Sequence, residues 1–155
     1  MVTKPFTNPG VLGVIKEEHE EVKGLFKDLT GVVEYDKNRA RAVIDEILTN
    51  LEVHTKLEED IVYPRLREQD QRLFYEAKEE HHVAEVLIHE IRQMNVEDPA
   101  FSAKTQVLRT NVEHHMAEEE DDMFDRLKKL SNETLDQMAV EWRSMKPQKM
   151  EMVKH

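Results

Sequence analysis

Leu12, Ile15, His19, Val22, Phe26 and Leu29 follow one another at spacings of 3, 4, 3, 4 and 3. That period sets them on one face of an α-helix, with a histidine in the middle of the apolar stripe. With Asn8 as N-cap and Pro9 in the first turn, the pattern predicts a helix over about 9–34. A second helical period runs over about 39–67, with Pro64 near its end as a point of kinking. A third covers about 71–94, and Asp98 with Pro99 repeats the cap-then-proline signal before a fourth that ends near Leu130. After Ser131 and Asn132, a cap pair, the residues Leu135, Met138, Ala139 and Trp142 mark a shorter fifth stretch, expected to pack outside the others. The polar tail from Pro147 is expected to fray. No alternating run of β-branched residues lies between turn dipeptides. The chain therefore reads as all-α: an antiparallel up-and-down four-helix bundle over about 9–130, with a short additional C-terminal helix and tail over 131–155.

The stripes repeat. Adding 62 to the first carries it onto Phe74, Ala77, His81, Ala84, Ile88 and Ile91, so the histidine recurs at the same step. The second helix carries Ile44, Ile47, Leu51, His54, Glu58 and Ile61, and adding 61 gives Thr105, Leu108, Val112, His115, Glu119 and Asp122. The clear mismatch is Asp122, where Met123 and Phe124 can supply apolar contact after a small rotation of the helix. With 33 acidic residues among 155, an acid four places after a histidine is about a one-in-five coincidence. Two such pairs on apolar stripes at a common offset, with a lone histidine on each remaining stripe, are a much stronger signal.

Composition narrows the chemistry. At 155 residues the chain has the size of one domain, and its 39% hydrophobic and 35% charged residues suit helices with one buried stripe and solvated faces. It has no cysteine, which leaves only nitrogen and oxygen ligands for a metal. A net charge of −11 disfavours nucleic acid and anionic membrane as partners. Residues 1–10 contain Pro5 and Pro9 and no long apolar run, so they read as neither secretory signal nor membrane span, and a cytoplasmic location is the expectation.

Residues four apart on a helix project from nearly the same face, so His54 with Glu58 and His115 with Glu119 can each address one centre. Buried carboxylates facing one another would cost several kcal/mol, on the order expected for buried charge, unless cations lay between them. Four imidazoles with two carboxylates suit iron, zinc or manganese rather than calcium or magnesium. Adjacent residues compete at two places, His81 with His82 and His114 with His115, and the repeat favours His81 and His115. His82, His89, His114 and His155 then read as surface residues, with a gate to the site or adventitious metal binding as the alternative for His82 and His89. Glu85, four after His81, is a further candidate ligand or a boundary acid facing solvent; Glu59 and Glu120 sit beside the ligands or face solvent, and a one-residue rotation would make them ligands instead; Tyr63 and Tyr35 either pack or donate a hydrogen bond near the centre.

The order lone His, His-x-x-x-Glu, lone His, His-x-x-x-Glu resembles the hemerythrin-like, HHE cation-binding domain family over about 11–130, with flanks Val62-Tyr63-Pro64 and Met123-Phe124 that match too. The resemblance implies a metal centre of two iron ions, oxo- or hydroxo-bridged, with manganese as the alternative. His19 and His54 would serve one iron, His81 and His115 the other, and Glu58 and Glu119 would span both. It implies handling of a small oxidant, O2, NO or H2O2, either with catalase-like peroxide turnover or as a sensor without turnover; separately, a monomer or weak homodimer is expected. Oxygen-carrying hemerythrins have His-x-x-x-His in the third helix, where this chain has Glu85 in the fourth place, so simple oxygen carriage is disfavoured.

Overall fold

The computed structural model describes residues 8–153, all of whose regular structure is helical. The readings made for residues 1–7 and for His155 lie outside the described residues.

Helix α1 (Val11–Val32) does not take the cap expected of Asn8 and Pro9. Its N-cap is Gly10, which makes no side-chain cap bond, and the Pro9 and Gly10 carbonyls accept from the Leu12 and Gly13 amides instead. Gly10 has φ of 51°, and a Cβ there would lie 2.4 Å from the backbone carbonyl of Leu135. Only glycine therefore lets the start of α1 touch the C-terminal helix. Helix α2 (Lys37–Leu57) is capped by Asp36, whose carboxylate accepts from the Arg39 amide. Helices α3 (Tyr63–Gln69) and α4 (Gln71–Gln93) follow, and Asp70 caps α4 by accepting from the Leu73 amide while pairing with Arg126 at 3.2 Å. Helix α5 (Phe101–Glu118) begins after a turn in which the Asp98 carboxylate accepts from the Ala100 amide, so Asp98 closes the turn rather than capping the helix.

Two wide turns were not legible as such. Glu58–Val62 and Glu119–Met123 are π-helical, each opening directly on a carboxylate of the repeat. A π turn holds about one residue more than an α turn. The stripe can thus step by five, from Glu58 to Tyr63 and from Glu119 to Phe124, and stay buried while Asp122 turns outward. This is the physical form of the rotation expected near Met123. Pro64 sits in the first turn of α3, where its missing N–H costs nothing, so the expected kink is instead a widened turn ahead of the proline. After the second π turn a short α6 (Phe124–Leu127) completes that rod.

The C-terminal helix departs most from expectation. Helix α7 (Asn132–Val153) is as long as α1 and runs straight through Pro147. Leu135, Met138, Ala139, Trp142 and Val153 are buried in the same cluster as Leu12, Leu57 and Phe124, so the helix is part of the core. The tail does not fray, because Lys146 pairs with Glu18 at 2.9 Å, Lys149 with Asp60 at 2.6 Å, and Val153 is 4% exposed. Tertiary contacts of this kind override a proline's low helix propensity.

The buried apolar residues form two clusters. One gathers Leu12, Ile15, Leu57, Leu66, Phe124 and Trp142; the other gathers Val22, Phe26, Ile44, Ile47, Ile88 and Leu108. The rods built on α1, α2, α4 and α5 each pass from one cluster to the other, and each carries its histidine at the crossing. Among the described residues no helix is long and apolar enough to cross a membrane.

Candidate metal centre

Between the clusters, His19, His54, His81, Glu58 and Glu119 are all buried, and His115 is 14% exposed at its side chain. Ligand atoms of His19, His54, Glu58 and Glu119 lie within 4.8 Å of one another, and so do those of Glu58, His81, His115 and Glu119. The two groups share both carboxylates. The closest approaches are His19 Nε2 to Glu119 Oε1 at 2.9 Å, His81 Nε2 to Glu58 Oε1 at 3.2 Å, His115 Nε2 to Glu119 Oε2 at 3.2 Å and His54 Nε2 to Glu58 Oε1 at 3.4 Å. These contacts lack hydrogen-bond alignment: both oxygens of Glu58 and of Glu119, with Nε2 of His54 and His115, are buried without a hydrogen-bond partner. Burying that many unsatisfied donors and acceptors is costly. Cations between the two carboxylates would satisfy them, and the thiol-free nitrogen and oxygen set fits iron, manganese or zinc.

Each imidazole turns Nε2 inward because its Nδ1 is held from outside by another carboxylate. His19 Nδ1 is 2.7 Å from Glu120, His54 Nδ1 2.9 Å from Glu18, His81 Nδ1 2.9 Å from Glu59 and His115 Nδ1 3.2 Å from Glu80. A carboxylate on Nδ1–H fixes the tautomer and makes the ring a better ligand. The repeat extends to these residues: adding 62 to Glu18 gives Glu80, and adding 61 to Glu59 gives Glu120. Sequence reasoning gave Glu59 and Glu120 a place beside the ligands and missed Glu18 and Glu80. The signal was available, since each stands immediately before a stripe histidine at the common offset.

The pseudo-symmetry breaks at two places. Tyr63, which adding 61 pairs with Phe124, puts its hydroxyl 2.8 Å from His81 Nε2 and stacks on that ring at 5.0 Å, so one half of the site has a buried phenol and the other a plain ring. Glu18 also accepts from Trp142 Nε1 at 2.8 Å and from Lys146 Nζ at 2.9 Å, which ties α7 to His54.

Other sequence candidates lie elsewhere. Glu85 is exposed and belongs to neither group, because α4 stays α-helical and the buried line continues from His81 through Ala84 and Ile88, leaving Glu85 on the flank. Tyr35 is 89% exposed, which removes it from the centre. His82, His89 and His114 are exposed.

Burial disfavours the imidazolium at all four histidines, but the carboxylates around each ring outweigh it. Glu119 and Glu80 raise His115 to about 10, and Glu119 with Glu120 raises His19. His54 is raised well above its ordinary 6.5, and His81 is raised by Glu58 and Glu59. Burial pushes Glu119 upward, yet its contacts with Glu58, His115 and His19 hold it well below the usual carboxylate range. Burial and the surrounding carboxylates push the Tyr63 phenol well above its ordinary value, so it keeps its proton.

A helical protein with a buried cage of imidazoles and shared carboxylates is a cation-binding protein in the making. The Hemerythrin HHE cation binding domain profile matches residues 11–127, and the chain belongs to that family. It is 28% identical over 138 residues, 86% of its length, to a DNA nickase of Nostoc sp., but spans only 38% of that protein. It is 28% identical over 111 residues, 72% of its length and 68% of the relative, to an uncharacterized protein of Mycobacterium tuberculosis. Its fold is similar to the crystal structure of a hemerythrin HHE cation binding domain-containing protein from Mycobacterium kansasii, with a TM-score of 0.81, 24% identity, and coverage of 92% of this chain and 88% of the other.

Proposed function

We propose that the chain is a non-haem di-iron protein that binds or turns over a small oxidant, with hydrogen peroxide disproportionation as its reaction. The observation that carries this reading is the pair of overlapping two-histidine, two-carboxylate groups whose shared oxygens have no other partner. His19 and His54 would hold one metal, His81 and His115 the other, and Glu58 and Glu119 both. Bound there, two iron ions supply reversible electron exchange with the oxidant, and manganese is the alternative metal.

The remaining work falls to side chains of this chain. A cavity of about 30 Å³ borders the site, lined by His81, His115, Ala84, Ile88, Val112 and Met116 among others, room for one molecule the size of water or peroxide. Ala84, Ile88, Val112 and Met116 give it apolar walls beside the imidazoles. The four outer carboxylates keep the imidazoles aimed, and the Tyr63 hydroxyl holds a proton beside His81. No side chain need act as a nucleophile. We infer an up-and-down arrangement of the four histidine-bearing rods, supported by their alternating passage between the two clusters. We also infer a single domain acting in the cytoplasm as a monomer or weak homodimer. The net charge of −11 speaks against carrying the nickase's activity over to this chain.

The iron-loaded chain should release O2 from added peroxide, and His115→Ala or Glu119→Gln should abolish the release. An iron-loaded chain without turnover would overturn the peroxide reaction. The Glu18 link between His54 and α7 favours a second reading, a sensor of O2, NO or iron in which the centre's state alters α7. Equal proteolytic protection of α7 with and without metal would remove it.

A further inference from the structure

Glu18 and Glu80 are equivalent under the repeat, and each holds the Nδ1 of a histidine at the centre. Their outer surroundings differ. On the Glu18 side the neighbouring α2 residues are Val53 and Leu57, both buried in the cluster that includes α7, and the Lys146 ammonium sits 2.9 Å from Glu18 Oε2. Adding 61 to Val53 and Leu57 gives His114 and Glu118 on α5. These side chains are 69% and 43% exposed, and His114 Nε2 lies 2.8 Å from Glu118 Oε1.

Ligand atoms of Glu80, His114 and Glu118 come within 4.8 Å of one another. Among the described residues, no lysine or arginine pairs with Glu80 or Glu118. One half of the molecule thus places a cation against the outer carboxylate, and the other half places a second carboxylate and an imidazole there. Glu80 and Glu118 converge with only imidazoles as their partners, His115 on one and His114 on the other, a geometry into which a cation fits. One imidazole with two carboxylates, half open to water, is a donor set for a divalent first-row metal that keeps part of its water shell.

We propose that Glu80, His114 and Glu118 form an outer site for a divalent first-row cation, standing where Lys146 stands in the other half, and that the site passes the ion to the centre. The handing-on rests on the di-iron reading above; the outer site does not. Two features support the route. Glu80 belongs to the outer group while touching His115 Nδ1 at 3.2 Å, and His115 is the most exposed of the four inward histidines. The surplus negative charge of the chain draws cations toward such an opening.

The test compares the full chain with one carrying both His114→Ala and Glu118→Gln, exposed positions outside the central cage. Mn2+ is added to the iron-loaded protein and free Mn2+ is read by electron paramagnetic resonance. The parent should take up about one further equivalent and the variant none. A parent that takes up none, or a variant that takes up as much, overturns the outer site. Anaerobic Fe2+ uptake by the metal-free chain, followed by the fluorescence of Trp142 beside His54, reads the transfer. The variant should load about tenfold more slowly to the same final iron content. Equal loading rates overturn the transfer. A parent that holds no iron overturns the di-iron reading and the transfer together, and the difference in Mn2+ uptake between parent and variant, about one equivalent if the outer site exists and none if it does not, still decides the outer site.

Discussion

Every inward histidine is gripped by acids at both ring nitrogens, Nε2 facing the shared carboxylates and Nδ1 an outer one. In the metal-free chain that grip favours the protonated ring, which fixes the sign of the pH dependence. A histidine whose pKa rises on folding contributes stability fully present below its ordinary 6.5 and lost as pH rises through the folded value, about 10 for His115. Glu18 and Glu120, each lowered to about 2, contribute above 4.5 and lose that contribution as pH falls through about 2. The metal-free protein should therefore melt at steadily lower temperature between pH 6.5 and about 10. On the proposed reading, in which the rings are neutral ligands, the metal-loaded protein should hold its melting temperature over the same interval. A level profile for the metal-free chain would show that the rings are not charged.

At the scale of elements, the helices and most of the cage are visible in the sequence because a 3.6-residue period and a common offset are properties of residue order alone. The π turns were half visible. A stripe that steps by five, from Glu119 to Phe124, cannot stay on one face of an ideal α-helix, and Asp122 falling on the stripe was the symptom. Glu85 misled because an i+4 spacing ties a residue to its neighbour only while the helix presents both to the core. Deleting Asp121 would return the stripe to an ordinary step of three and four, placing Met123 and Phe124 where an α-helix buries them. The shortened chain should keep its helical circular dichroism while binding metal about 10- to 100-fold more weakly, a loss typical of disturbed ligand support, as read by competition with a chelator. Undiminished binding would mean that the wide turn has no part in placing Glu119.

At the scale of the molecule, α7 was the least legible part. Its apolar residues were found, but a proline and a run of Lys and Met hid its second half, whose order comes from partners distant in sequence: Glu18, Asp60 and the cluster around Leu12. The repeat marks Glu18 through its counterpart Glu80, but the tie it makes between His54 and α7 exists only when three helices meet. Trp142 is fully buried at that meeting point. Trp142→Ala should lower the unfolding free energy by about 3–5 kcal/mol, the usual cost of emptying a large aromatic site, measured by denaturant titration. A loss below about 1 kcal/mol would mean that α7 rests on the core without holding it.

On the two-metal reading, the half of the cage strapped at Glu18 by Trp142 and Lys146 and the half without such a strap at Glu80 should hold their ions for unequal times. An ion between His81 and His115 should exchange with solvent sooner than one between His19 and His54. Partial extraction would then leave a chain with a single occupied half, and refilling with a different element would label the halves separately. Two positions built from one repeated pattern would so become distinguishable by the order in which they empty.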